Sequence, residues 1–329
     1  MPDPTTTHAV THAHRAADVS AVVCAYTEER WDDLQAALTS LRTQTTPPGE
    51  VVVVVDHNDA LLDRVRHAAP DVVAVANAER QGLSGARNTG VAAARGALLA
   101  FLDDDAVAEP DWLEHVVAAY RDPAVIAVGG PAEPAWDAGR PRAFPVEFDW
   151  VVGCTYRGLP TRTGPVRNPV GANMSFRRDV FDAVGGFRHG IGRVGTRPVG
   201  CEETEFCIRA RSRFPAGLVL FEPTARVRHR VTRSRARWSY FRSRCYAEGL
   251  SKALVTRVAG TGPGLASERR YTLRTLPAGA ARGIGDALRG DLAGLARTAA
   301  IVAGLGLTAA GYLLGTAAGR LRATAREAS

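Results

Sequence analysis

The run Val51–Val55, five β-branched residues in succession closed by Asp56, constrains this chain more than any other segment. β-Branched side chains are stiff and pack well on a pleated surface. With no polar residue alternating among them, the strand they form has no face to offer water. It must be buried on both sides, as the inner strands of a parallel sheet are. Pro47-Pro48-Gly49 punctuates its start. The flanking segments fit this frame. Val19–Ala25 reads as another buried strand, and Trp31, Leu34, Leu38 and Leu41 recur at helical spacing over Trp31–Arg42. A helix over 60–69, a strand over 72–76, a helix over 84–95 and a strand over 97–102 follow. Such alternation predicts a parallel α/β sheet with right-handed crossovers. Ligands of these sheets sit beyond the carboxyl ends of the strands. Three of those ends are polar here: Tyr26-Thr27-Glu28, Asp56-His57-Asn58-Asp59 and Asp103-Asp104-Asp105.

The charge is unevenly placed. The chain of 329 residues carries 41 Lys+Arg against 34 Asp+Glu, but residues 1–150 hold 11 basic and 23 acidic side chains, and residues 151–329 hold 30 and 11. Only one cation is a lysine, Lys252. A hydrophobic fraction of 46% excludes global disorder, and the length allows one large domain or two smaller ones. Five cysteines without a CxxC pair point to buried, reduced thiols. Residues 1–18 are polar, lack the apolar core of a signal peptide, and read as a disordered leader in which His8, His12 and His14 are solvated. Residues 130–170 read as a long loop region between two halves, and 186–200, rich in glycine, as a mobile lid.

Three constellations can carry chemistry. The first is Asp103-Asp104-Asp105, three carboxylates delivered by one strand. Their mutual repulsion is offset by solvent or a cation, and Mg²⁺ or Mn²⁺ with a nucleotide diphosphate is the natural partner. The second is Arg80-Gln-Gly-Leu-Ser-Gly-Ala-Arg-Asn-Thr-Gly90, a helix start bearing Arg87 and Asn88. It is neither GxGxxG nor a Walker A loop, which disfavours a dinucleotide fold. The third is Gly200-Cys-Glu-Glu-Thr-Glu-Phe-Cys-Ile-Arg209, with Glu202, Glu203 and Glu205 in one helical turn. The helix dipole suffices to place them there, and a carboxylate beyond a mobile loop can also serve as a general base.

Taken in order, Val22-Val-Cys-Ala-Tyr26, Val-Val-Asp56, Gly82–Gly90, Phe-Leu-Asp-Asp-Asp105, Gly171-Ala-Asn-Met-Ser-Phe-Arg177 and Cys201–Arg209 resemble family 2 inverting glycosyltransferases of the GT-A fold, over about residues 19–230. Within the family, the chain is most similar to enzymes that extend lipid-linked or cell-envelope glycans. The resemblance implies that Ala25, Tyr26 and Glu28 border the nucleoside, that Asp56 binds its uracil or ribose side, and that Arg80, Arg87 and Asp104 lie near the nucleotide and its phosphates. Asp103 and Asp105 become the Asp-x-Asp pair, with Asp105 the direct metal ligand and His229 completing the site. Gly171, Ala172 and Asn173 line the donor sugar and acceptor region. Glu203 becomes the catalytic base, with Glu202 beside it.

The basic half completes the expectation. Between Arg226 and Lys252 stand nine cations and one anion, Glu248, with Trp238, Phe241 and Cys245 at helical spacing. This reads as a basic amphipathic helix for an anionic membrane surface. Nucleic acid is disfavoured, because no such module is visible and the other half is acidic. Arg233-Ser-Arg-Ala-Arg-Trp238 lacks the glutamine of processive synthases, so repeated polymerisation is not expected. Residues 298–319 carry no charge and as a helix would cover ~33 Å at ~1.5 Å per residue, enough to cross a bilayer core. The expected organisation is thus a leader at 1–18, a nucleotide-sugar half at 19–130, an acceptor half at 131–232 and C-terminal helices at 233–329. The expected role is transfer of a sugar, UDP-linked by preference, to a glycan or polyprenyl-linked acceptor. It would take place on the cytoplasmic face of the membrane, the protein being held peripherally or by one C-terminal helix. The competing reading is a non-catalytic nucleotide-sugar-binding scaffold of an envelope assembly complex.

Overall fold

The computed structural model describes residues 14–191, 200–259 and 265–327. The first half follows the expected alternation: β1 (Val19–Ala25), α1 (Trp31–Arg42), β2 (Glu50–Val55), α2 (Asp59–Ala68), β3 (Val73–Ala76), α3 (Leu83–Ala93) and β4 (Leu98–Asp103). Then come β5 (Ala106–Ala108), α4 (Trp112–Ala119), β6 (Val125–Gly129), β7 (Ala132–Trp136), β8 (Gly164–Pro165), β9 (Asn173–Arg177), α5 (Arg178–Val184), α6 (Glu202–Arg213), β10 (Leu218–Phe221) and β11 (Val227–Val231). Four helices end the chain: α7 (Trp238–Ala259), α8 (Leu265–Arg270), α9 (Leu276–Leu288) and α10 (Ala293–Glu327).

The large sheet runs β3-β2-β1-β4-β9-β6-β10-β8. Its β1, β2, β3 and β4 pair in parallel, and β9 is antiparallel to both β4 and β6. Val52–Val55 of β2 are fully buried, as a strand covered on both faces requires. One core lies under α1, α2 and α4, and a second, with Phe101, Phe176, Phe187 and Phe206, lies on the other face. The large sheet takes strands from both expected halves, β1 to β4 and β6 from the first and β8, β9 and β10 from the second. Within 130–170 the structure places β7, β8 and a 3₁₀ segment, Val146–Val152, buried against the C-terminal helices.

Two expectations are corrected. Residues 14–18 are not a disordered leader: Ala16–Asp18 form a 3₁₀ turn, Ala16 is buried, and its carbonyl accepts from Gly49 N at 3.1 Å. The apolar stripe of α7 is turned largely inward, with only Trp238 of its three expected members open, at 48%. Phe241 and Cys245 are buried with Phe144, Phe148 and Ile301 in a third core. Residues 192–199, most of the glycine-rich segment expected to act as a lid, lie outside the described residues.

A small second sheet, β5-β11-β7, builds the site. β5 begins directly after the Asp triplet, and antiparallel pairing sets His229 of β11 opposite Ala106. Arg230 N donates to Asp105 O at 2.8 Å, fixing that register.

Candidate active site

The carboxyl end of β4 carries Asp103, Asp104 and Asp105, and strand pairing brings β11 to it. Ligand atoms of Asp103, Asp105 and His229 all lie within 4.8 Å of one another. His229 Nε2 stands 3.1 Å from Asp105 Oδ1 and 3.9 Å from Asp103 Oδ2. Two hard carboxylates and an imidazole are a fitting donor set for a divalent cation such as Mn²⁺. The remaining oxygen of Asp105 faces Arg235 Nη2 at 3.0 Å and Arg30 Nη1 at 3.2 Å. Asp105 is buried, yet His229, Arg235 and Arg30 outweigh that burial and hold its carboxyl well below the usual range. Burial opposes the charged form of His229 as well, and Asp105 with the nearby Cys154 thiol overcomes it, raising the imidazole to about 10. Cys154 Sγ lies 3.6 Å from His229 Nδ1. Gly153 adopts φ 84°, and a Cβ there would stand 3.2 Å from His229 Cε1, so this turn is one that glycine makes best.

Asp104 turns elsewhere. It is buried and accepts from Arg30 Nη1 at 2.7 Å, while its Oδ2 has no hydrogen-bond partner among the described residues. Burial, opposed by Arg30 and assisted by Asp105 and Asp103, pushes it up to about 7.

Arg87, 2% exposed on α3, links the acidic end of β4 to α6. Its Nη1 donates to Glu202 Oε1 at 2.7 Å, and its Nη2 donates to Gly171 O at 3.0 Å and reaches Asp103 Oδ1 at 3.5 Å. This sorts the three carboxylates of α6. Glu202 pairs with Arg87, and Glu205 pairs with Arg209 at 2.8 Å. Glu203 makes no ion pair among the described residues. It lines a cavity of about 700 Å³ together with Asp103, His229, Gly171 and Ala172. Desolvation, with Glu202 alongside, pushes Glu203 up to about 8.

The other expected residues are placed as follows. Asp56 accepts from Asn77 Nδ2 at 2.6 Å and from Gly82 N at 2.9 Å, ordering the loop that leads into α3. Asn173 is buried away from the cavity: Trp112 Nε1 donates to its oxygen, and its nitrogen donates to Pro131 O and Ala225 O. Ala25 is buried at the end of β1. Tyr26 is 45% exposed and lies under the Arg30 guanidinium. Glu28 is exposed and meets Arg64 at 3.4 Å, and Arg80 is exposed. The structure thus brings Asp103, Asp105, His229, Arg87, Glu202 and Glu203 together and leaves Asn173 out of that group. Sequence reasoning missed Arg30 and treated Arg235 as one cation among many. No local pattern marks either residue, since only the tertiary fold carries them to Asp105.

Residues 20–185, half of the chain, match the family description Glycosyl transferase family 2. The chain belongs to glycosyl transferase family 2. It is 39% identical over 241 residues to a glucosyl-dolichyl phosphate glucuronosyltransferase of Haloferax volcanii, covering 72% of this chain and 77% of that one. It is 28% identical over 237 residues to a succinoglycan biosynthesis protein of Rhizobium meliloti, covering 69% and 71%. In structure it is similar to a mannosyltransferase from Pyrobaculum calidifontis in complex with GDP-Man and Mn²⁺, with a TM-score of 0.56, 19% identity, and coverage of 92% and 87%. That similarity shows the fold, which is GT-A. The protein is therefore a family 2 glycosyltransferase with an acidic Asp-x-Asp end to β4.

Proposed function

We propose that this glycosyltransferase moves a sugar, with inversion, from a nucleoside diphosphate sugar to a hydroxyl of a glycosylated polyprenyl phosphate at a membrane surface. The observation that carries the reading is one cavity lined by two members of the candidate metal triad, Asp103 and His229, and by Glu203, a carboxylate with no ion pair among the described residues. Glu203 takes the proton from the acceptor hydroxyl. The acceptor oxygen forms its bond to the anomeric carbon as the bond from that carbon to the diphosphate breaks, and the electron pair leaves with the diphosphate. Asp103, Asp105 and His229 would hold the metal, which when bound supplies positive charge to the departing diphosphate. Mn²⁺ suits a set containing imidazole better than Mg²⁺ does. Arg235 and Arg244 line the same cavity and add positive charge there. UDP is the preferred nucleotide, as the family resemblance implies.

The acceptor class is supported by the Haloferax relative, which is named for a glucosyl-dolichyl phosphate. The membrane setting is supported by α10. Its Ala293–Ala318 segment is long and apolar enough to cross a bilayer, and only 22% of its most apolar stretch is buried. One side of α10 packs against α7, which supports a helix lying along the membrane surface rather than spanning the bilayer, and the cytoplasmic face is the side a nucleotide-sugar donor implies. The scaffold reading would leave a base-like carboxylate beside the metal triad without a role.

Asp105→Asn and Glu203→Gln are each expected to lower kcat by on the order of 10³-fold with the fold intact, read by nucleotide release and circular dichroism. Undiminished turnover in either variant would refute the assignment.

A further inference from the structure

The sole lysine of the chain stands in the wall of the active-site cavity, within an ion cluster that the mechanism does not use. Lys252 Nζ on α7 meets Glu268 Oε2 on α8 at 2.8 Å and lies 3.7 Å from Glu248 Oε1, one turn back on α7. The other oxygen of Glu268 accepts from Arg167 Nη1 at 2.6 Å. All four side chains line the cavity, and each keeps between 15% and 27% of its surface open. Arg167 and Lys252 hold Glu268 ionised, at about 2, against the effect of burial. Two cations and two anions leave the cluster without net charge.

Its position follows from a series of contacts. Arg87 reaches Asp103 and Glu202. On the other side of Glu202, Cys201 Sγ meets Glu248 Oε1 at 3.6 Å, and Gly200 N donates to Ser251 Oγ at 3.1 Å. The cluster therefore adjoins the α6 N-terminus that carries Glu203, at the end away from the metal triad. A group that activates an acceptor hydroxyl has the acceptor beside it, so this wall is where the acceptor sugar would rest. Fixed carboxylates accept from ring hydroxyls and a lysine donates to them, and within these four side chains the charges cancel, while Arg235 and Arg244 bring their positive charge to the same cavity.

Resting on the glycosyltransferase reading above, we propose that Glu248, Lys252, Glu268 and Arg167 form the acceptor-sugar subsite and read the hydroxyls of an uncharged hexose. A cluster that hydrogen-bonds hydroxyls discriminates strongly against analogues lacking one, because its buried polar groups are then left unpaired. The test measures nucleotide release from the full chain with Mn²⁺ and short-chain polyprenyl phosphates. One set is bare; the others carry glucosyl, galactosyl, deoxyglucosyl or glucuronosyl groups. At least one neutral hexosyl acceptor is expected to exceed the bare phosphate and the glucuronosyl form in kcat/KM, and removal of a hydroxyl to lower it ~10²-fold. Glu248→Gln, nearly isosteric, and Lys252→Met are expected to raise acceptor KM at least ~10-fold while donor KM moves less than ~2-fold. A merely structural ion cluster would alter melting temperature and leave acceptor preference unchanged. Equal use of bare and hexosyl phosphates, donor hydrolysis with no transfer to any hexosyl acceptor, or an unaltered acceptor profile in both variants overturns the subsite. Failure of the wild-type protein to release nucleotide from any donor overturns the transferase reading beneath it.

Discussion

At the scale of single residues, the site depends on which of several similar groups is left without an opposite charge. Glu202 and Glu205 are each paired with an arginine, whereas Glu203 meets the cavity and is pushed up to about 8 by desolvation and by Glu202. A base works only when ionised, so kcat/KM is expected to rise with pH through the range around 8. Glu202→Gln removes a negative neighbour and releases Arg87 from it; both changes favour ionised Glu203. The rising limb of the pH–rate profile should therefore move to lower pH, and an unmoved limb would assign the limb to another group. The stability term has the opposite sign. Between its ordinary value near 4.5 and about 8, folded Glu203 holds a proton that the unfolded chain has lost. This contribution to stability therefore declines as pH rises through the same window. Asp103, Asp105 and Glu203 drew notice in the sequence because each sits in a short acidic segment with its own pattern, and His229 did so only through the family resemblance. Arg30 and Arg235 did not, because a lone arginine acquires meaning only when the fold sets it against Asp105. Asn173 was legible as part of a motif, but its orientation was not: the pattern of β9 does not say which groups its amide will meet.

At the scale of elements, close approach fixes where the site residues stand. The α3 helix lies on β1 and β2 at Gly90, where a Cβ would fall 2.5 Å from Val22 Cγ1 and 3.2 Å from Val54 Cγ2. Gly90→Val is expected to destabilise the protein by about 1–3 kcal/mol through overpacking. It should also lower kcat by lifting Arg87 away from Asp103 and Glu202. Urea unfolding and nucleotide release measure the two effects. The β11–β5 register matters similarly, because a slip of one residue would turn His229 to the other face of the small sheet. The first four strands and three helices were legible because hydrophobic periodicity is local. The β9 insertion between β4 and β6, and the small sheet, were not. Their partners are far apart in the chain, and short strands such as Ala106–Ala108 carry too few residues to show a period.

At the scale of the whole molecule, the uneven charge of the sequence acquires a spatial meaning. The acidic first half supplies Asp103 and Asp105, and the arginine-rich second half supplies Arg235 beside them. Apolar side chains on α9, on α10 and in the turn between them remain open to solvent, among them Leu288 at 84%, Leu292 at 72% and Val302 at 63%. The protein is expected to float with liposomes of anionic lipid. Replacing Leu292 and Val302 together by Asp should reduce the bound fraction several-fold with little change in melting temperature, since neither side chain is buried. Unaltered flotation would place the contact elsewhere. The sequence pattern of α7 did not show that Phe241 and Cys245 pack inside the protein, because a stripe of apolar residues reports burial without saying what buries it.

The close crossing of α7 and α10 has a further consequence. A Cβ at Gly249 would fall 2.1 Å from Thr308 O, and one at Gly311 would fall 2.2 Å from Tyr246 O, so the two helices touch backbone to backbone. The helix that carries Glu248 and Lys252 is thereby joined to the helix with the exposed apolar face. Both lie outside residues 20–185, the segment that matches the family. The site itself crosses the end of that segment, because Glu203, His229 and Arg235 also lie beyond it. A chimera that exchanges the chain from Trp238 onward, leaving Asp103, Asp105, Glu203, His229 and Arg235 in place, would test whether these helices choose the acceptor.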